Sequence, residues 1–145
     1  MSCGNDILAA QAIGADLAYI GTRFIATEEA NAPAAYKEMI VNSTAKDIVY
    51  TSLFSGVHGS YLRDSIAKLG LDPDNLPVGD KSAMDFGRGD GSKAKAWIDI
   101  WSAGQGVGSI HDTPKVADLV ARMEQEYMNA REQLSISLGQ VNRTL

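Results

Sequence analysis

The 145 residues carry 13 basic and 18 acidic side chains, for a net charge of −5. That is enough chain to bury a core but short of the roughly 200 residues that the smallest closed (β/α)8 barrels use. The acidic balance and scattered basic residues argue against nucleic acid or an anionic membrane surface as a partner. The single cysteine, Cys3, excludes an internal disulfide and suits a reducing compartment. No apolar run nears the ~20 residues of a membrane span, and the first residues lack the basic-then-apolar order of a signal peptide, so the expectation is a soluble, cytoplasmic chain.

In chain order, residues 2–14 read as a helix, with Asn5 as cap, Ile7, Leu8, Gln11 and Ala12 along one side and Gly14 as the stop. Residues 16–20 are apolar on both faces, through Leu17, Ala18, Tyr19 and Ile20. That pattern predicts a strand covered on both sides, as in a parallel sheet. Gly21 and Thr22 follow it, and then chain with helical propensity. Backbone N–H groups past the end of such a strand, with the partial positive charge of a helix start, suit a phosphate. Glycine permits close approach, and the threonine hydroxyl is a further donor. Taken alone, the spacing of Gly21-Thr22 fits a plain strand-to-helix turn better than a phosphate site.

Thr27 can cap a short turn through Glu28 and Glu29, and Pro33 opens a helix to about Asn42 with Tyr36, Met39 and Ile40 inward. Residues 48–54 have strand composition, Gly56-Val57-His58-Gly59 is a turn, and residues 61–69 space Leu62, Ile66 and Leu69 as a helix that stops at Gly70. Residues 71–92 form a long loop with two prolines and four glycines. A loop of that length is functional or mobile. Residues 93–101 return to helix, with Trp97 and Trp101 on one stripe as core, and 103–108 are a glycine-rich turn. Thr113 as cap and Pro114 at the first position open the longest helix, to about Gln133. Its stripe is Val116, Leu119, Val120, Met123 and Tyr127, with an ion pair from Asp118 to Arg122.

Three stretches carry a family resemblance. They are Gly-Ala-Asp-Leu-Ala-Tyr-Ile-Gly-Thr-Arg-Phe-Ile-Ala-Thr-Glu-Glu at 14–29, Asp-Ile-Val-Tyr-Thr-Ser-Leu-Phe-Ser-Gly-Val-His-Gly-Ser-Tyr-Leu-Arg at 47–63, and Ala-Lys-Ala-Trp-Ile-Asp-Ile-Trp-Ser-Ala-Gly-Gln-Gly-Val-Gly-Ser-Ile at 94–110. Together they resemble the carboxyl-terminal part of the nitronate monooxygenases (2-nitropropane dioxygenases), FMN-dependent (β/α)8 barrel oxidoreductases. The resemblance implies an α/β fold: the last helix–strand–helix of a TIM barrel in residues 1–30 and a mostly helical extension in 31–145, one incomplete domain. It implies that the chain starts within a βα loop and lacks the preceding strands with their catalytic histidine. It implies FMN as cofactor, with Tyr19, Ile20, Gly21 and Thr22 at the flavin and Gly21 and Thr22 on its phosphate, and a small nitronate as substrate. The chain by itself would then lack turnover, and a strand with bare edges would favour self-association. Two other readings stay open: a flavin-dependent quinone or enoyl-thioester reductase on the same scaffold, and a non-catalytic helical binding module.

Other motifs carry less. His58 has no carboxylate or nucleophile at a telling spacing and reads as a turn residue, and His111 as a solvated one. Gly104-Gln105-Gly106-Val107-Gly108 follows a helix and so misses the dinucleotide context, although the resemblance puts Gln105 near the barrel mouth. Asp72, Asp74 and Asn75 lack the glycine and closing glutamate of a calcium loop, and Arg88-Gly89-Asp90 is a chance tripeptide. No catalytic residue and no metal ligand is assigned.

Overall fold

The computed structural model describes residues 1–77 and 100–141, with side chains to 137. They fall into two compact units, one of residues 1–31 with 112–145 and one of residues 32–111.

The first unit pairs α1 (Gly4–Ala12) with the long α5 (Val116–Val141) and includes the four-residue α2 (Thr22–Ile25). Asp6 rather than Asn5 caps α1, accepting N–H bonds from Ser2 at 2.7 Å and Cys3 at 3.4 Å. Asn5 lies exposed inside the helix. Gly14 ends it as expected. Its φ is +96°, a conformation costly for any residue with a Cβ, and it lets the Gly14 and Ala15 N–H groups close on Gln11 and Ala10. Gly4 N–H donates 2.8 Å to the Glu126 carboxylate of α5. Leu119, Met123 and Ala26 form the apolar centre, while Val120 of the expected stripe is half exposed.

The buried strand expected at 16–20 is absent. These residues belong to no sheet, and Leu17 and Tyr19 are 90% and 91% exposed. A strand exists only where a neighbour supplies its hydrogen bonds, and in this unit none of the described residues forms one. The two-faced apolar pattern is real; a covering partner is what it lacks here.

The second unit contains α3 (Ala34–Asn42), a 3-10 turn (Ala45–Asp47), β1 (Ile48–Thr51), β2 (Gly59–Leu62), α4 (Arg63–Ala67) and a second 3-10 turn (Gln105–Ser109). β1 and β2 form an antiparallel hairpin, with Ile48 opposite Leu62 and Thr51 opposite Gly59. Tyr61 and Leu62, expected at a helix start, are strand residues. Helix begins only at Arg63, and Gly70 stops the segment at φ +77°. Leu62 N–H bonds Trp101 C=O at 2.8 Å, and Ala103 N–H bonds Ser60 C=O at 3.2 Å, which adds a third segment to the hairpin edge. Buried Ser65 accepts the Trp101 N–H at 3.1 Å and donates to Leu62 C=O at 2.8 Å. Ile40, Leu62, Ile66, Val107 and Ile110 are at most 1% exposed, each burial being worth about 1.5–3 kcal/mol. Tyr36 stacks on Trp101 with centroids 5.0 Å apart. Residues 71–77 form no helix or strand. The rest of the expected 71–92 loop, Arg88-Gly89-Asp90, most of the 93–101 helix and Trp97 lie outside the described residues. Among the described residues no helix is long and apolar enough to cross a membrane.

Candidate functional site

The four residues expected at a flavin lie together where the irregular segment meets α2. Tyr19 is exposed, Ile20 half-buried, Gly21 exposed and Thr22 half-buried. Gly21 C=O accepts the Phe24 N–H at 3.0 Å and the Ile25 N–H at 3.3 Å, which turns the chain into α2. A Cβ built on Gly21 would meet nothing within 4 Å, so the junction opens to solvent instead of being walled off by side chains. Thr27 is buried and donates to Phe24 C=O at 2.8 Å. It ties off α2 instead of capping a turn through Glu28.

What holds this junction is a cluster that the sequence reading missed. Arg23, next to Thr22, is 2% exposed. Its guanidinium donates 2.9 Å to Asp112 C=O and 2.8 Å to Asp112 Oδ1. Arg122 forks onto the same carboxylate, at 2.8 Å to Oδ2 and 3.2 Å to Oδ1, so it pairs with Asp112 and not with Asp118. The Arg122 hydrogen bond, then the charges of Arg122 and Arg23, hold Asp112 below the usual carboxylate range against its partial burial. Burial pushes the Arg23 guanidinium down, and Asp112 opposes that. Beside this cluster, Glu28 N–H donates 3.0 Å to Pro114 C=O. The Glu29 carboxylate accepts the Val116 N–H at 2.9 and 3.0 Å. Glu29, not Thr113, therefore supplies the acceptor at the start of α5. Nothing local in the sequence marks this arrangement; no spacing rule joins residues 23 and 112.

Each unit also holds a cavity. A cavity of about 190 Å³ in the first unit is lined by Ile7, Ala10, Gln11, residues 15–18 and Tyr127, beside the junction but not at it. In the second unit a cavity of about 240 Å³ is lined by residues 49–52, His58, Pro73, Leu76 and Pro77. His58 there is exposed and stacks on Tyr50 at 5.0 Å. It has no carboxylate partner among the described residues, so the geometry supplies no acid–base pair. Asp74 spends its carboxylate on the Arg63 fork, at 2.7 and 2.9 Å, and among the described residues no group of three metal-type ligands forms.

A family model, nitronate monooxygenase, matches residues 1–126. The chain belongs to the nitronate monooxygenase family. A nitronate monooxygenase of Paraburkholderia phytofirmans is 32% identical over 137 residues, covering 90% of this chain and 37% of that protein. A probable nitronate monooxygenase of Staphylococcus haemolyticus is 40% identical over 53 residues, or 37% of this chain and 15% of its own length. Among solved structures, a nitroalkane oxidase from Streptomyces ansochromogenes superposes with a TM-score of 0.68 at 25% identity, over 92% of this chain and 39% of that one. FabK from Thermotoga maritima gives a TM-score of 0.63 at 20% identity, over 93% and 44%; that likeness concerns the fold alone. The chain thus spans less than half the length of each of these nitronate monooxygenase family relatives and structural neighbours.

Proposed function

We propose that this chain supplies the phosphate-gripping end of an FMN-dependent nitronate monooxygenase, a cytoplasmic (β/α)8 barrel enzyme that oxidises small alkyl nitronates with molecular oxygen. The observation that carries the reading is the open Gly21-Thr22 junction in a chain of this family. Gly21 is exposed, has φ −103° and leaves free the space that a side chain would fill. A phosphate monoester fits such a place because the backbone can approach it without a Cβ in between. Gly21 would offer backbone, Thr22 its N–H and hydroxyl, and Tyr19 and Ile20 backbone and packing along the flavin. When bound, FMN supplies the electron chemistry, and the residues of this chain bind and orient it. No residue here is assigned as the base, and the chain by itself is expected to lack turnover.

The test is a titration of the chain with FMN, followed by flavin fluorescence, beside Gly21→Val. The substituted side chain enters open space at an ordinary φ, so it leaves the folded chain intact while blocking the phosphate. Affinity is expected to fall about tenfold or more, on the scale of losing one or two charge-assisted hydrogen bonds. Equal affinity in the two proteins, or no FMN binding by either, sinks the reading. In a full-length relative, oxygen uptake with a nitronate separates this activity from pyridine-nucleotide oxidation with a quinone.

A further inference from the structure

We propose that Asp112 is a positioning residue for the Gly21-Thr22 junction: it fixes Arg23, and through it Thr22, in the geometry that grips a phosphate-ended ligand. The proposal rests on the flavin reading above and adds the residues that set the grip.

Arg23 is joined to Thr22 by one peptide bond, and its guanidinium is buried. A buried cation is tolerated only when its donors are matched, and Asp112 matches it twice, through its backbone carbonyl and its carboxylate. Asp112 is itself held by Arg122, one turn and a half into α5. Two neighbouring ties act in the same direction: Glu28 N–H on Pro114 C=O, and the Glu29 carboxylate on the Val116 N–H. Residues 23–29 are therefore latched at both ends to residues 112–116. With Asp112 neutralised, the guanidinium loses its hydrogen-bonded counter-charge; Glu126, which acts on it by charge alone, does not hold it in place, and the buried group turns toward water. The residue beside it then shifts by the fraction of an ångström that hydrogen bonding to a phosphate does not tolerate. Neither Asp112 nor Arg122 needs to touch the ligand for this to hold.

The experiment compares FMN with riboflavin, which has the same ring system and no phosphate, on the full chain by flavin fluorescence. Melting curves set a temperature at which each protein is folded. Asp112→Asn is expected to weaken FMN about tenfold, the lower end of what losing the partner behind a metal ligand costs, and to leave riboflavin unchanged. The preference for FMN therefore falls tenfold. Asp112→Glu, which keeps the charge, restores most of it. Should Asp112→Asn not fold, Arg122→Gln carries the test, since it keeps the Arg23–Asp112 pair and frees Asp112 from α5; a smaller loss of the same preference is expected. Unchanged FMN affinity in the variants, with tight FMN binding by the parent, overturns the positioning role and leaves the flavin reading standing. Equal weakening of FMN and riboflavin also overturns it, as a general loss of structure. A parent chain that binds FMN no better than riboflavin removes the flavin reading and the positioning role together.

Discussion

Gly4 sits so close to α5 that a Cβ on it would lie 2.1 Å from Met123 O and 2.4 Å from Tyr127 N. Both neighbours are backbone, which cannot swing aside as a side-chain tip can. Gly4→Ala is therefore expected to force α1 and α5 apart and to destabilise the chain by about 1–3 kcal/mol, read as a lower midpoint in urea. An unchanged midpoint would show that α1 does not pack there in solution. At this scale the sequence was legible in part. Gly14 could be read as a stop because its neighbours already specify a helix end. Gly21 could be read as a turn residue because an apolar run precedes it and Thr22 follows, and it lies exposed where the chain enters α2. Nothing local marks Gly4, whose constraint comes from residues 119 and more positions away. The same holds for Arg23, whose partner Asp112 is 89 positions downstream. Proximity in space that folding alone creates leaves no periodicity to read.

Among the elements, residues 16–20 give the clearest consequence. Ile13, Leu17 and Tyr19 are 88%, 90% and 91% exposed, and side chains of that size in one short stretch form a patch that water covers poorly. Concentration-dependent association is expected in sedimentation velocity, and Leu17→Lys with Tyr19→Lys should suppress it. Association of the double variant as strong as that of the parent would rule this stretch out as the cause. The apolar pattern was read as a strand covered on both sides; Leu17 and Tyr19 are exposed instead, and the inference of a strand failed because pairing is a property of neighbours. Residues 61–69 failed in another way. Leu62, Ile66 and Leu69 fit a helical stripe, yet Tyr61 and Leu62 pair with Val49 and Ile48. Leu62 is buried in either arrangement, so periodicity could not separate them. Pro33 before α3 was the easier case, since its fixed φ suits a helix start whatever packs around it.

For the whole chain, the titration of its carboxylates fixes how it responds to acid. Thr44 N–H and hydroxyl bonds hold Asp47 below its ordinary value. Burial pushes Asp6 up, but hydrogen bonds from Ser2 and Cys3 more than offset it. Asp112 is held down chiefly by Arg122. A carboxylate with a folded pKa below its unfolded one, near 3.9, adds stability that is complete above that unfolded value. The contribution is lost as pH falls toward and through the folded one. The urea midpoint is therefore expected to be level from pH 7 to 5 and to drop below about pH 4, with Asp112→Asn showing a shallower drop. A midpoint that rises on acidification, or an identical slope in the variant, would contradict this assignment.

The long last helix does two jobs with adjacent turns. Met123, Glu126 and Tyr127 meet the first helix at Gly4 and Gln11, while Arg122 and Val116 restrain Asp112 and Glu29. It works as a splint, and splints fail all at once. One protease cut between residues 116 and 126 would free the amino-terminal segment and the glycine–threonine bend in a single event. Anyone transplanting that bend into another scaffold would have to bring this distant rod along with it.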